Sequence, residues 1–141
     1  MYCFDANVWI YYFDNSLDEH AAVREPVDDV LQTEPIFTTT VLQMEVVHYL
    51  TNQLADSGET IDRFLRLSNV TTAELSERDV AAGADLLETH DQSGIGGRDA
   101  TVIAAMDRHD ITRLWTHDEG LKCLGDSLAW LDVTDPVGGG Q

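Results

Sequence analysis

Short β-type runs recur along this chain, each separated from the next by a stretch of helical character, and that alternation limits the fold more than any other feature. The runs are Tyr2-Cys3-Phe4, Pro35 to Thr39, Val70-Thr71-Thr72, Arg113 to Thr116 and Leu131-Asp132-Val133. Strands joined by helices instead of tight turns pair in parallel, and a parallel sheet needs helices on both faces. The pattern predicts an α/β fold: a three-layer α/β/α sandwich with a central, mainly parallel sheet of four to five strands. Helices are expected over 6–13, over 17–32 with a kink or break at Pro26, and from Thr40 to about Ala55. Thr40-x-x-Gln43 has the capping-box form, and Ser57-Gly58 reads as a helix break before 59–68. Further helices are expected from a Ser76 cap to Thr89, over Asp99–His109 and over 118–124, with 91–97 as a mobile glycine-rich loop.

Length and composition fit one domain, here residues 1–135, with 136–141 as a flexible tail. No run lacking Asp, Glu, Lys and Arg is long enough to cross a membrane, and no basic, then apolar, secretory leader opens the sequence. A cytoplasmic protein is expected, with Cys3 and Cys123 as reduced, small apolar residues and Asn69-Val70-Thr71 as a chance sequon. The chain carries 26 acids against 8 bases, a net charge of −18. Such self-repulsion disfavours a compact state in dilute buffer and is screened in concentrated salt, so the composition reads as halophilic. A surface adapted to a basic partner is the competing reading.

Four acids stand where acids are costly. Asp5 closes the first strand, and Asp118 ends the fourth in Trp115-Thr116-His117-Asp118. In open parallel sheets, ligands gather at that carboxyl edge. Glu45 has Val41, Leu42 and Tyr49 as helical neighbours, and Asp99 begins the stripe continued by Val102, Ile103 and Met106. Each has an ordinary alternative: helix capping for Asp5 and Asp99, an arginine pair for Glu45, a turn residue for Asp118. Together they repel one another unless a cation neutralises them, and all-oxygen donors suit Mg²⁺ or Mn²⁺ better than zinc. The Thr116 hydroxyl is placed to orient Asp118 or a water.

Four segments carry a family resemblance: Phe4-Asp5-Ala6-Asn7-Val8, Glu45 within Val41 to Val47, Asp99-Ala100-Thr101-Val102-Ile103-Ala104, and Leu114-Trp115-Thr116-His117-Asp118. In order and spacing they resemble the PIN domain, and more narrowly the VapC-type toxin ribonucleases, from Tyr2 to about Val133. His117 stands where that family most often has Asn or Arg. The resemblance implies metal-dependent hydrolysis of RNA phosphodiesters. Asp5, Glu45 and Asp99 would hold one or two Mg²⁺ or Mn²⁺ ions and Asp118 would complete the site. Asn7, Thr116 and Arg98 would position substrate. It also implies a small VapB-like antitoxin as partner and a homodimer as the unit.

Other classes fit less of the chain. A haloacid-dehalogenase-like phosphatase needs D-x-D where this chain has Asp5-Ala6-Asn7, and a receiver domain needs a strand-end lysine that Lys122 does not supply. An RNA-processing nuclease of the same fold and a non-catalytic acidic binding module remain as alternatives.

Overall fold

The computed structural model describes residues 1–138; the last residues of the expected tail, 139–141, lie outside that range. Five strands form one sheet: β1 (Tyr2–Phe4), β2 (Ile36–Thr39), β3 (Val70–Ala73), β4 (Arg113–Trp115) and β5 (Asp132–Thr134). Their order is β3-β2-β1-β4-β5 and every pairing is parallel. The connecting helices are α1 (Ala6–Phe13), α2 (His20–Thr33), α3 (Thr40–Gln53), α4 (Ser57–Leu65), α5 (Glu77–Thr89), α6 (Gly97–Arg108) and α7 (Glu119–Ser127). The expected three-layer α/β/α sandwich is what forms. No helix among the described residues is long and apolar enough to cross a membrane.

β1 is the first strand of the chain and the middle one of the sheet, with β2 on one side and β4 on the other. The winding reverses at β1 and β4, which opens a crevice beyond their carboxyl ends. The strands are short, and the central ones are largely buried. Cys3, Phe4, Phe37 and Leu114 are inaccessible or nearly so, and they pack on Trp9, Leu42, Leu50, Ile103 and Met106 from the helices. Edge-on aromatic contacts of 5.1 Å from Trp9 to both Phe4 and Phe64 lock α1 and α4 to the sheet.

Local chemistry departs from expectation at four places. Thr39, not Thr40, caps α3: its backbone is extended and its hydroxyl accepts the Leu42 N–H at 3.1 Å. The Thr40 hydroxyl instead accepts the Leu75 N–H, tying the segment after β3 to α3. Pro26 lies inside an unbroken α2, because the carbonyl it deprives of a partner belongs to exposed Ala22 while Val23, Val27 and Val30 stay buried. Ser57 and Gly58 begin α4; the break falls at 54–56. Cys3 is buried as expected, but Cys123 is exposed.

Candidate active site

The register of the central strands builds the site. Phe4 pairs with Trp115, and the Asp5 N–H donates to the Trp115 carbonyl at 2.9 Å, which brings Asp5 beside Thr116. Thr116 is wholly buried. Its hydroxyl donates to Asp5 Oδ2 at 2.7 Å and accepts the Asp118 N–H at 3.0 Å. One side chain thus joins two acids that are 113 positions apart in sequence. Instead of only orienting Asp118, Thr116 holds the Asp5 carboxylate as well. The adjoining turn is fixed by Asn7, whose Oδ1 accepts the His117 N–H at 3.3 Å.

The ordinary roles of the strand-end acids are also present. Asp5 Oδ1 caps α1 through the Ala6 N–H at 2.8 Å, and Asp118 Oδ2 caps α7 through the Leu121 N–H at 3.0 Å. Capping and clustering are compatible, because a cap uses one carboxylate oxygen and fixes the direction of the other. Asp118 lies three residues beyond β4, as the N-cap of α7, and does not end the strand.

Glu45 and Asp99 approach from the helices. The fully buried face of α3 is Leu42, Val46 and Leu50, so Glu45 sits at its margin, half-buried. Asp99 is likewise half-buried in the first turn of α6, ahead of Ala100, Val102, Ile103 and Met106 in the core. Burial raises the Asp99 carboxyl to about 7, reinforced by the charges of Asp5, Asp118 and Glu45. Burial also raises Asp5 and Glu45 above the ordinary carboxyl range; the Thr116 and Ala6 hydrogen bonds oppose this at Asp5 and Arg98 opposes it at Glu45, while Asp118 adds to the first and Asp5 to the second. Asp99 therefore lies within electrostatic reach of the other three acids, and Asp5 and Glu45 are raised with it.

Hydrogen bonds from Thr116, Ala6 and Leu121 offset part of that charge, but cations add little. Arg98 Nε lies 3.9 Å from Glu45 Oε1 on a side chain that is 76% exposed, a contact too long and too wet to neutralise the cluster. An open groove of about 660 Å³, walled by Ile10, Val41, Met44 and Tyr49, leads to Glu45 and Arg98.

Three other buried acids show the contrast. Asp79 receives a bidentate fork from Arg108 at 2.9 Å, which holds its carboxyl below the ordinary range. Asp14 accepts from Ser16 and from the Tyr49 hydroxyl, and Asp135 from Lys122, His117 and the Val137 N–H. Burial pushes both upward, but these bonds win and both end below the usual value. Sequence reasoning missed all three. Asp135 alone carried a signal, since it follows β5 as Asp5 follows β1. Its partner His117 thereby braces the turn between β4 and α7 against the segment after β5.

The group of carboxylates fits a hard divalent cation in the kind and charge of its donors. Among the described residues no three Asp, Glu, His or Cys side chains already stand close enough to hold one ion, so the donors converge without forming a finished cage.

The chain matches the model of the PIN domain over residues 2–126. No curated protein matches its sequence. Among solved structures, VapC20 of Mycobacterium tuberculosis, described as a toxin cleaving the sarcin–ricin loop, superposes with a TM-score of 0.74 at 14% identity, over 89% of this chain and 95% of that one. VapBC2 of Rickettsia felis, solved with a promoter DNA fragment, gives 0.68 at 16% identity, over 95% and 97%. VapBC-1 of nontypeable Haemophilus influenzae gives 0.65 at 19%, over 96% and 97%. The family match spans nearly the whole chain and the similar folds are those of VapC toxins, so this protein belongs to the PIN domain family.

Proposed function

We propose that the protein is a metal-dependent endoribonuclease and the toxin of a toxin–antitoxin pair. One observation carries the reading: the Asp99 carboxyl is raised to about 7 by burial and by the charges of Asp5, Asp118 and Glu45, while Asp14, Asp79 and Asp135 are held below the usual value by their partners. A fold selected only for stability has no use for an Asp raised to about 7 in a half-open cleft.

In this reading Asp5, Glu45, Asp99 and Asp118 hold one or two Mg²⁺ or Mn²⁺ ions. A bound ion of this type lowers the pKa of water and offsets charge on a phosphodiester. Thr116 keeps Asp5 Oδ2 in place, and Asn7 steadies the turn that aims Asp118. Arg98, exposed at the rim, meets a phosphate of the RNA strand entering along the groove. The RNA is drawn chiefly by the cation site, because few basic side chains are present to bind it.

The VapBC complexes among the similar folds support a small VapB-like antitoxin as partner. A homodimer as the unit and action in the cytoplasm belong to the same proposal. The test is cleavage of a labelled RNA pool in concentrated KCl with Mn²⁺ or Mg²⁺. Cleavage by the wild type, blocked by EDTA and by Asp99→Asn, is expected. No cleavage under any divalent ion, or cleavage indifferent to EDTA, overturns the reading.

A further inference from the structure

The backbone leading to Asp99 and the backbone leaving Asp118 meet at two glycines. Gly120 lies in the first turn of α7, two residues after the Asp118 cap. A carbon added there would stand 3.0 Å from Asp118 Oδ2 and 3.1 Å from both the carbonyl carbon and oxygen of Gly94. Gly94 in turn has a φ of 82°, where a side chain is strained. It is held from behind by buried Ser93, whose N–H and hydroxyl both donate to the His90 carbonyl. Two residues later Gly96 caps α6, and Asp99 follows in its first turn.

We propose that the Gly94–Gly120 contact is the spacer that sets the distance between the Asp99 and Asp118 carboxylates. The bare Cα of Gly120 lets the loop before α6 rest directly on the first turn of α7. A methyl at that point wedges between a ligand-bearing carboxylate and main chain. The Gly94 atoms are main chain, and Asp118 Oδ2 is tied by the Leu121 N–H, so the loop and the turn must part by a few tenths of an ångström. The α6 glycine Gly97, by contrast, and Gly58 of α4 would meet nothing within 4 Å, so glycine itself is not required for helix starts in this fold. Gly120 is a positioning residue: it touches no substrate and acts through the acids on either side.

The contact is a property of the fold alone; its effect on cation affinity rests on the nuclease reading. Gly120→Ala tests it, with Gly58→Ala as a neutral control and Gly125→Ala as a packing control, since its carbon would lie 2.6 Å from Val133. Alanine is the better helix former, so a glycine with no spacer role would give a variant at least as stable as wild type and otherwise unchanged. The spacer predicts that Gly120→Ala shifts amide resonances across the contact, from Gly94 to Asp99. It also predicts Mn²⁺ affinity, read by electron paramagnetic resonance, falling about tenfold or more, as when a group supporting metal ligands is removed. Gly94→Ala, which disturbs the same contact from the loop side, is expected to reproduce the loss. Unmoved resonances from Gly94 to Asp99 overturn the spacer. So does a Mn²⁺ affinity equal to wild type, or an equal loss in Gly125→Ala. A wild type that binds no Mn²⁺ and cleaves no RNA refutes the nuclease reading instead, and the resonance shifts then decide the spacer by themselves.

Discussion

Removing the charge of Asp99 should stabilise the protein, and the structure fixes the direction and scale. In the fold this carboxyl rises from 3.8 to about 7, chiefly by burial and then by the charges of Asp5, Asp118 and Glu45. Between about pH 4 and pH 7 the native state therefore holds a proton that the unfolded chain has released. Stability falls as pH rises through that window, and the full penalty is present above it. A rise of this size corresponds to about 4 kcal/mol, since each tenfold change in proton affinity is worth ~1.36 kcal/mol. Asp99 is only half-buried, so solvent screening brings a realistic figure to about 2 kcal/mol. Asp99→Asn keeps the shape and removes the titration. Urea unfolding of metal-free wild type and variant in constant, high KCl should give curves that diverge with pH. The variant gains about 2 kcal/mol on wild type between pH 4 and pH 8. Adding Mn²⁺ at pH 8 should stabilise wild type and leave the variant unchanged. A difference that stays flat over this pH range, or an Asp99 carboxyl resonance titrating near 4, refutes the convergence of charge on which the site depends.

Thr116→Val, close in shape, removes the hydroxyl between Asp5 and the Asp118 N–H; it should cost about 2 kcal/mol in urea unfolding and lower RNA cleavage at saturating Mn²⁺. Arg108→Met leaves Asp79 buried without its fork, so the melting temperature should drop sharply, whereas Arg98→Met should melt like wild type. Asp14, Asp79 and Asp135 have carboxyls held below their usual value, so they add stability above about pH 4 that is lost as they take up protons below it. Circular dichroism should show unfolding on that acid side, beginning at higher pH in Asp79→Asn than in wild type. Raising KCl from about 0.1 to 1 M shortens the screening length from ~10 to ~3 Å and should raise the melting temperature of a chain of charge −18. A melting temperature indifferent to KCl would remove the case for a salt-adapted surface.

The alternation of β-type runs with helical stretches was enough to foresee a parallel sheet, because both elements announce themselves through short-range periodicity. Asp5, Glu45, Asp99 and Asp118 were legible for a related reason: an acid beside a strand end or an apolar helix face breaks the local pattern. The same logic placed the cap of α3 one residue late, since Thr39 and Thr40 look alike until the backbone shows which one is extended. It was silent on Asp14 and Asp79, whose partners Tyr49 and Arg108 lie 35 and 29 residues away.

Sequence alone therefore determined the layers of this protein and singled out the four acids proposed for its crevice. Tertiary structure decided which acids are held below and which are pushed above the usual carboxyl range, and it built the long-range contacts of Thr116 with Asp5, 111 residues apart, and of Gly94 with Gly120. The reason is physical. Periodicity records which side of an element meets the core, whereas the charge state of a carboxylate depends on the particular donors and anions that the folded chain brings within a few ångströms of it.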